Sequence, residues 1–200
     1  AQSAEFVIEL AHKHCVEFYV EVGSRPAAAP CRLRYRLAAA NARRAMRNKS
    51  RGGGRIGSGE RVFNNWVEKS RADLSLLITE LPSGPYPYAG IPWFSTTFGR
   101  DGIITALQML WFDPQVAKGV LAFLARTQAR EVNKFQDSAP GKIMHEARKG
   151  EMSRLKEVAF GQYYGGVDST PLFVMLAGAY ADRTGDMEFI KRIWSSLEQA

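Results

Sequence analysis

The sequence predicts a mainly α chain: part of a toroid of paired helices, preceded by the end of an antiparallel β domain. Three observations carry this. The hydrophobic period changes near Glu60 from two residues to helical spacing. From there a segment that is apolar nearly all round is followed by a short turn and an amphipathic segment, and this pair occurs twice. The copies lie 67 residues apart, from Asp101 to Asp168, a longer step than common helical solenoids use. Concentric layers explain the pattern, because inner helices touch neighbours on all faces and outer ones keep a wet face.

Taken in order, Phe6, Ile8 and Leu10, then Val16, Phe18, Val20 and Val22, alternate with polar residues. They read as two strands of a half-buried antiparallel sheet. Two strands do not fold alone, so residues 1–31 are expected to be the end of a β domain. Residues 32–59 are expected to be a basic, Gly-rich linker. GxGxxG occurs by letter at Gly52, Gly54 and Gly57, but a dinucleotide site needs a strand immediately before it and a Walker loop needs GK[ST]. Residues 60–200 are assigned to the helical domain. Val62, Phe63, Trp66, Val67, Leu74, Leu77 and Ile78 mark one side of a helix ending near Pro82. Gly102 to Phe112 is the first apolar helix, buried on every side. Asp113-Pro114 then supplies an N-cap and a first-turn proline for an amphipathic helix. A polar loop with a short helix near Gly150 to Glu157 leads to the second apolar helix, Pro171 to Ala181. Asp186 caps its partner, with Phe189, Ile190, Ile193, Trp194 and Leu197 on the apolar side.

With 46% apolar and 24% charged residues the composition is that of an ordinary globular chain, which excludes disordered and collagen-like classes. The longest strongly apolar stretch is about half the length of a membrane-spanning helix, so no membrane partner is expected. The net charge of +7 is local. Nine Lys or Arg and no acid lie between Arg32 and Arg55, which leaves −2 for the remainder. Such a block, without interleaved aromatics apart from Tyr35, reads as a solvated segment rather than a nucleic-acid site. Cys15 and Cys31 have neither CxxC spacing nor a histidine at a ligand interval. Free thiols, no metal, no organic cofactor and a cytoplasmic location are expected. Nothing in the sequence fixes an oligomeric state.

Each apolar helix is preceded by an aspartate in a segment rich in aromatics and glycine: residues 86–102 before the first, residues 163–171 before the second. If the helices belong to one ring, both aspartates lie at the same mouth. Asp is a favoured helix cap, and capping is the bland account of both. Against it, Trp93, Tyr86, Tyr88, Tyr163 and Tyr164 crowd loops that would otherwise be polar, and such rings suit sugar faces and hydroxyls. Trp93 and Tyr164 are therefore candidate substrate contacts. His145 alone reads as a packed or solvated histidine and gains weight only from its neighbours Glu146 and Arg148.

The runs Ala89-Gly-Ile-Pro-Trp-Phe-Ser-Thr-Thr-Phe-Gly-Arg-Asp-Gly-Ile-Ile-Thr-Ala-Leu-Gln108, Gly141-Lys-Ile-Met-His-Glu-Ala-Arg148 and Tyr164-Gly-Gly-Val-Asp-Ser-Thr-Pro171 resemble successive motifs of bacterial glycogen-debranching, amylo-alpha-1,6-glucosidase-like proteins. These are six-hairpin glycosidases with an (α/α)6 barrel, and the resemblance covers roughly residues 60–200. It implies that Asp168 is the general acid, that Arg100 and Asp101 bind sugar hydroxyls, and that His145, Glu146 and Arg148 form a second substrate-contacting loop. The family's general base is a glutamate late in the barrel, so it is expected beyond residue 200, and this chain alone is expected to be inactive. The implied reaction is hydrolysis of an α-glucosidic bond with inversion, the two carboxyls standing about 6.5–9.5 Å apart, on an oligo- or polysaccharide. A helix N-terminus favours an anion, whereas a general acid must hold its proton; burial and neighbouring carboxylates would have to outweigh the dipole. The rivals are another six-hairpin hydrolase acting on trehalose or a glucosyl- or mannosylglycerate, a non-catalytic carbohydrate-binding scaffold, and an inactive truncated product.

Overall fold

A computed structural model describes residues 7–22, 29–49 and 53–200. The chain divides into two units, Ala1–Arg47 and Asn48–Ala200.

Among the described residues of the first unit the expected strands are not formed. Residues 7–10 and 16–22 carry no ladder, and Val22 is 91% exposed; Phe6 lies outside the described residues. Alternation makes an extended segment amphipathic, but its backbone groups still need a partner strand, and none is supplied among the described residues. Within the basic stretch Arg32–Lys49 is a helix, α1. Alanine and arginine are strong helix formers, and this segment is built largely from them. Arg32 and Arg34 meet Glu17 and Glu21 at 3.5 and 2.8 Å, which gives the helix acidic neighbours from outside its own sequence.

In the second unit α2 (Arg61–Leu77) is capped by Glu60, whose carboxylate accepts from the Val62 N–H at 3.3 Å. It stops short of Pro82 because Ile78 turns to extended backbone, and Ile78–Leu81 (β1) pairs antiparallel with Gly84–Pro87 (β2). Of the predicted apolar side of α2, Val67 is buried while Val62, Phe63 and Trp66 are exposed. Then follow β3 (Thr97–Phe98), α3 (Gly99–Met109), α4 (Pro114–Arg126), β4 (Glu146–Ala147), α5 (Glu151–Arg154), α6 (Ser169–Thr184) and α7 (Met187–Gln199). Asp113 and Asp186 cap α4 and α7 as expected, accepting from Gln115 and Phe189 N–H.

The helices lie in two layers. α3 packs on α4 and α6, α4 also on α6 and α7, and α6 on α7. Three side-chain bonds give the relation between the two hairpins: Arg100 to Asp168, Lys118 to Asp186, and Gln128 to the Ser196 carbonyl, each joining residues 68 apart. The first sets the N-termini of α3 and α6 together. The other two join Lys118, in the second turn of α4, to the N-cap residue of α7, and Gln128, just past the end of α4, to the last turn of α7. The second hairpin therefore lies alongside the first, helix parallel to equivalent helix. Ile103, Ala106, Val120, Leu121, Leu124, Phe173 and Leu176 form the core where the layers meet, each large side chain contributing about 1.5–3 kcal/mol by leaving water. Burial of the two apolar helices is one-sided rather than complete, since Ile104 on α3, Trp111 just past its end, and Val174 and Met175 on α6 are exposed.

Candidate functional site

Three segments far apart in sequence lie side by side. β3 pairs with β4 in the register Thr97↔Ala147 and Phe98↔Glu146, and Glu146 in turn bridges Tyr163. The Gly99 N–H donates to the His145 carbonyl at 2.8 Å, and the His145 N–H donates to the Tyr163 carbonyl at 2.7 Å. This approach requires glycine, because a Cβ on Gly99 would sit 2.1 Å from the Met144 carbonyl oxygen. β3 runs directly into α3, and the segment after Tyr163 runs into α6, so the two helix starts emerge next to one another.

Arg100 lies in the first turn of α3, and its Nη1 donates to Asp168 Oδ2 at 2.9 Å. Asp168 occupies the N-cap position of α6, yet its side chain makes no capping hydrogen bond. Asp101 is no cap either. It falls inside the first turn of α3, whose N-cap residue is Phe98. The capping account of the two aspartates therefore fails on geometry. Burial, and after it the charge of Asp101, pushes the Tyr86 hydroxyl well above the usual phenol range. That hydroxyl donates to the Phe98 carbonyl at 2.8 Å, which makes Tyr86 an anchor of the β3–α3 junction rather than a sugar contact.

His145 completes the cluster. A Cβ placed on Gly166 would fall 2.9 Å from His145 Nδ1 and 3.2 Å from Asp168 Oδ1, so the imidazole nitrogen and the carboxylate flank one glycine. His145 Nδ1 is buried with no hydrogen-bond partner, as is Ser169 Oγ. Phe98 and Tyr163 hold the imidazole edge to face, with centroids 6.0 and 6.1 Å away. An unmet buried polar atom costs about 1–3 kcal/mol, and here two of them lie close to the Arg100–Asp168 ion pair.

The remaining candidates have other tasks. Glu146 is buried and accepts from Arg148 Nε at 2.9 Å, while the Arg148 guanidinium lies over the Phe160 and Phe94 rings at 5.5 and 6.0 Å. Tyr164 is buried, with its hydroxyl donating to the Thr127 carbonyl at 2.7 Å and pushed up by burial. Trp93 is 81% exposed, on a loop closed by reciprocal Gly90–Phe94 hydrogen bonds. The structure thus brings together Arg100, His145 and Asp168, places Asp101 next to Arg100, and commits Glu146, Arg148 and Tyr164 to the frame. Sequence reasoning missed Ser169 and Thr170; Thr170 Oγ1 accepts from the Ile143 N–H at 3.0 Å and ties the loop to α6. The hydroxyl-rich Asp-Ser-Thr-Pro run was the available signal.

Among the described residues, no group of His, Cys, Asp and Glu is placed to hold a metal ion, and no helix is long and apolar enough to cross a membrane. No protein-family model matches the sequence, and neither does any curated protein.

Proposed function

We propose that residues 60–200 are part of an (α/α)6 toroid of the glycogen-debranching, amylo-alpha-1,6-glucosidase-like kind, binding α-glucan for hydrolysis of an α-glucosidic bond with inversion. The observation that carries the reading is the contact between Arg100 and Asp168, made across 68 residues and flanked by the unmet Nδ1 of His145. Two hairpins lying side by side in the same direction are also what each step of such a ring needs. Here Asp168 is the proton donor to the leaving glycosidic oxygen. Arg100 engages Oδ2, so entering sugar hydroxyls must displace Arg100 before the carboxyl, taking its proton from solvent, can give it to the leaving oxygen. His145 and Asp101 hold ring hydroxyls, and Trp93 offers its apolar face to a neighbouring sugar. Inversion needs a second carboxylate to activate water. Glu146 does not serve, being buried against Arg148. The resemblance assigns this base to a glutamate outside these residues, so the chain alone should bind glucan without turning it over. A cytoplasmic location belongs to the same reading.

Calorimetric titration of the chain with panose, a trisaccharide containing one α-1,6 bond, tests the reading. Binding is expected with Kd on the order of 1 mM, weakened about tenfold or more in Arg100→Ala and retained in Lys134→Ala. No binding, or binding indifferent to Arg100, would sink the proposal. Preference for trehalose over panose would redirect it to the trehalose-cleaving hydrolases of the same architecture.

A further inference from the structure

A cleft of about 400 Å3 opens where the end of α4 meets β1, β3, β4 and the loop after α5, and its lining includes none of Arg100, His145 and Asp168. Three cations line it, Arg126, Arg148 and Lys149, with no Asp or Glu. Arg148 is half satisfied by the buried Glu146 behind it, through Nε alone. Arg126 lies over the Phe123 ring at 5.6 Å, and among the described residues neither it nor Lys149 pairs with a carboxylate. The helix end that could oppose an anion is already occupied. Thr127 Oγ1 donates to the Phe123 carbonyl at 2.9 Å, and the Thr127 carbonyl accepts from Tyr164 at 2.7 Å.

The rest of the lining is neither bare nor purely ionic. Tyr88 and Phe123 supply aromatic surface, and Gln136 and Gln162 supply amide donors and acceptors. The volume falls within the range of small-molecule sites, about 300–1,000 Å3, far more than an inorganic ion fills. A neutral sugar has no use for uncompensated cations. A dianionic phosphate meets them with charge-assisted, forked hydrogen bonds. We propose that this cleft binds a phosphorylated sugar of hexose-monophosphate size, with the phosphate between Arg126 and Lys149 and the ring against Tyr88. The proposal is independent of the glucan reading, because it concerns other residues and a binding event alone.

The test is calorimetric titration of the chain with glucose 6-phosphate, inorganic phosphate and glucose at matched ionic strength. Glucose 6-phosphate should bind more tightly than inorganic phosphate, glucose should not bind in this cleft, and Arg126→Gln with Lys149→Glu should weaken glucose 6-phosphate about tenfold or more. Lys149→Glu alone, at an exposed loop position, guards against a folding defect, and it should lower the affinity while leaving the thermal midpoint unchanged. The basic helix α1 can attract any anion, so binding undiminished by these substitutions would overturn the proposal. So would inorganic phosphate binding as tightly as the sugar phosphate, or no binding of glucose 6-phosphate up to about 10 mM.

Discussion

Two aspartates stand at the starts of consecutive helices, and each receives a cation from a residue 68 positions earlier. Beyond that they are opposites. Asp186 is engaged at both oxygens: Oδ2 accepts from Lys118 Nζ at 2.7 Å and the Tyr180 hydroxyl at 2.9 Å, and Oδ1 accepts from the Phe189 N–H at 3.2 Å. Lys118 first, then Tyr180, holds its carboxyl at about 2. Asp168 takes Arg100 alone among the described side chains, leaves the cap of α6 unmade, and lies beside an imidazole nitrogen with nothing to bond. A carboxylate with both oxygens engaged within the fold is a fastener. One left unsaturated next to other unmet polar atoms is available to a ligand.

That contrast can be broken in several ways. The largest expected effect is on chemistry: in a form of the protein that turns over glucan, Asp168→Asn should lower kcat by about 10²–10⁴-fold, the scale of general acid catalysis. Activated aryl glucosides should suffer less, and equal losses on both substrates would leave Asp168 a binding role only. Next, Asp186→Ala should lower the thermal midpoint by several degrees, whereas Asp168→Ala should move it much less. Equal shifts would erase the distinction between fastener and site.

Acid titration sharpens the comparison further. Because the Asp186 carboxyl is lowered from 3.8 to about 2 in the fold, its contribution to stability is complete above about pH 4 and is lost as pH falls toward 2. Asp186→Asn should therefore flatten that part of the stability profile, and a variant with the same acid slope as the parent would refute the assignment. The smallest effect is expected at His145. Its Nδ1 has no partner to lose, and replacing it relieves an unmet buried polar atom, so His145→Phe should leave the unfolding free energy no lower than that of the parent while weakening panose binding.

Local pattern made the helices legible. Period and cap residues were enough for α4 and α7, where Asp113 and Asp186 cap as read. What depends on a distant partner was not legible. The alternating residues 16–22 have strand character but no strand to pair with among the described residues. Ile78–Leu81 read as a helix tail because its hairpin partner follows a Pro-Ser turn. Tyr86 and Tyr164 looked like sugar contacts because their polar tips were visible in sequence while the carbonyls of Phe98 and Thr127 that occupy them were not. The motifs did name Arg100, His145 and Asp168, but their convergence required the β3–β4 pairing, which two residues on each side do not announce.

The common offset of the three inter-hairpin bonds makes chain length itself a structural parameter. Arg100, Lys118 and Gln128 are spaced along the first hairpin as Asp168, Asp186 and Ser196 are along the second. A residue inserted in the loop between Gln128 and Asp168 changes all three offsets equally and leaves the match intact. One inserted between Arg100 and Lys118 lengthens one hairpin against the other, and the two can then be in register at one end only. Length changes should therefore be tolerated singly in the connecting loop but not between the bonded residues of one hairpin alone: α3 has 11 residues and α6 has 16, so what the two hairpins share is the spacing of their anchors and not the length of their helices.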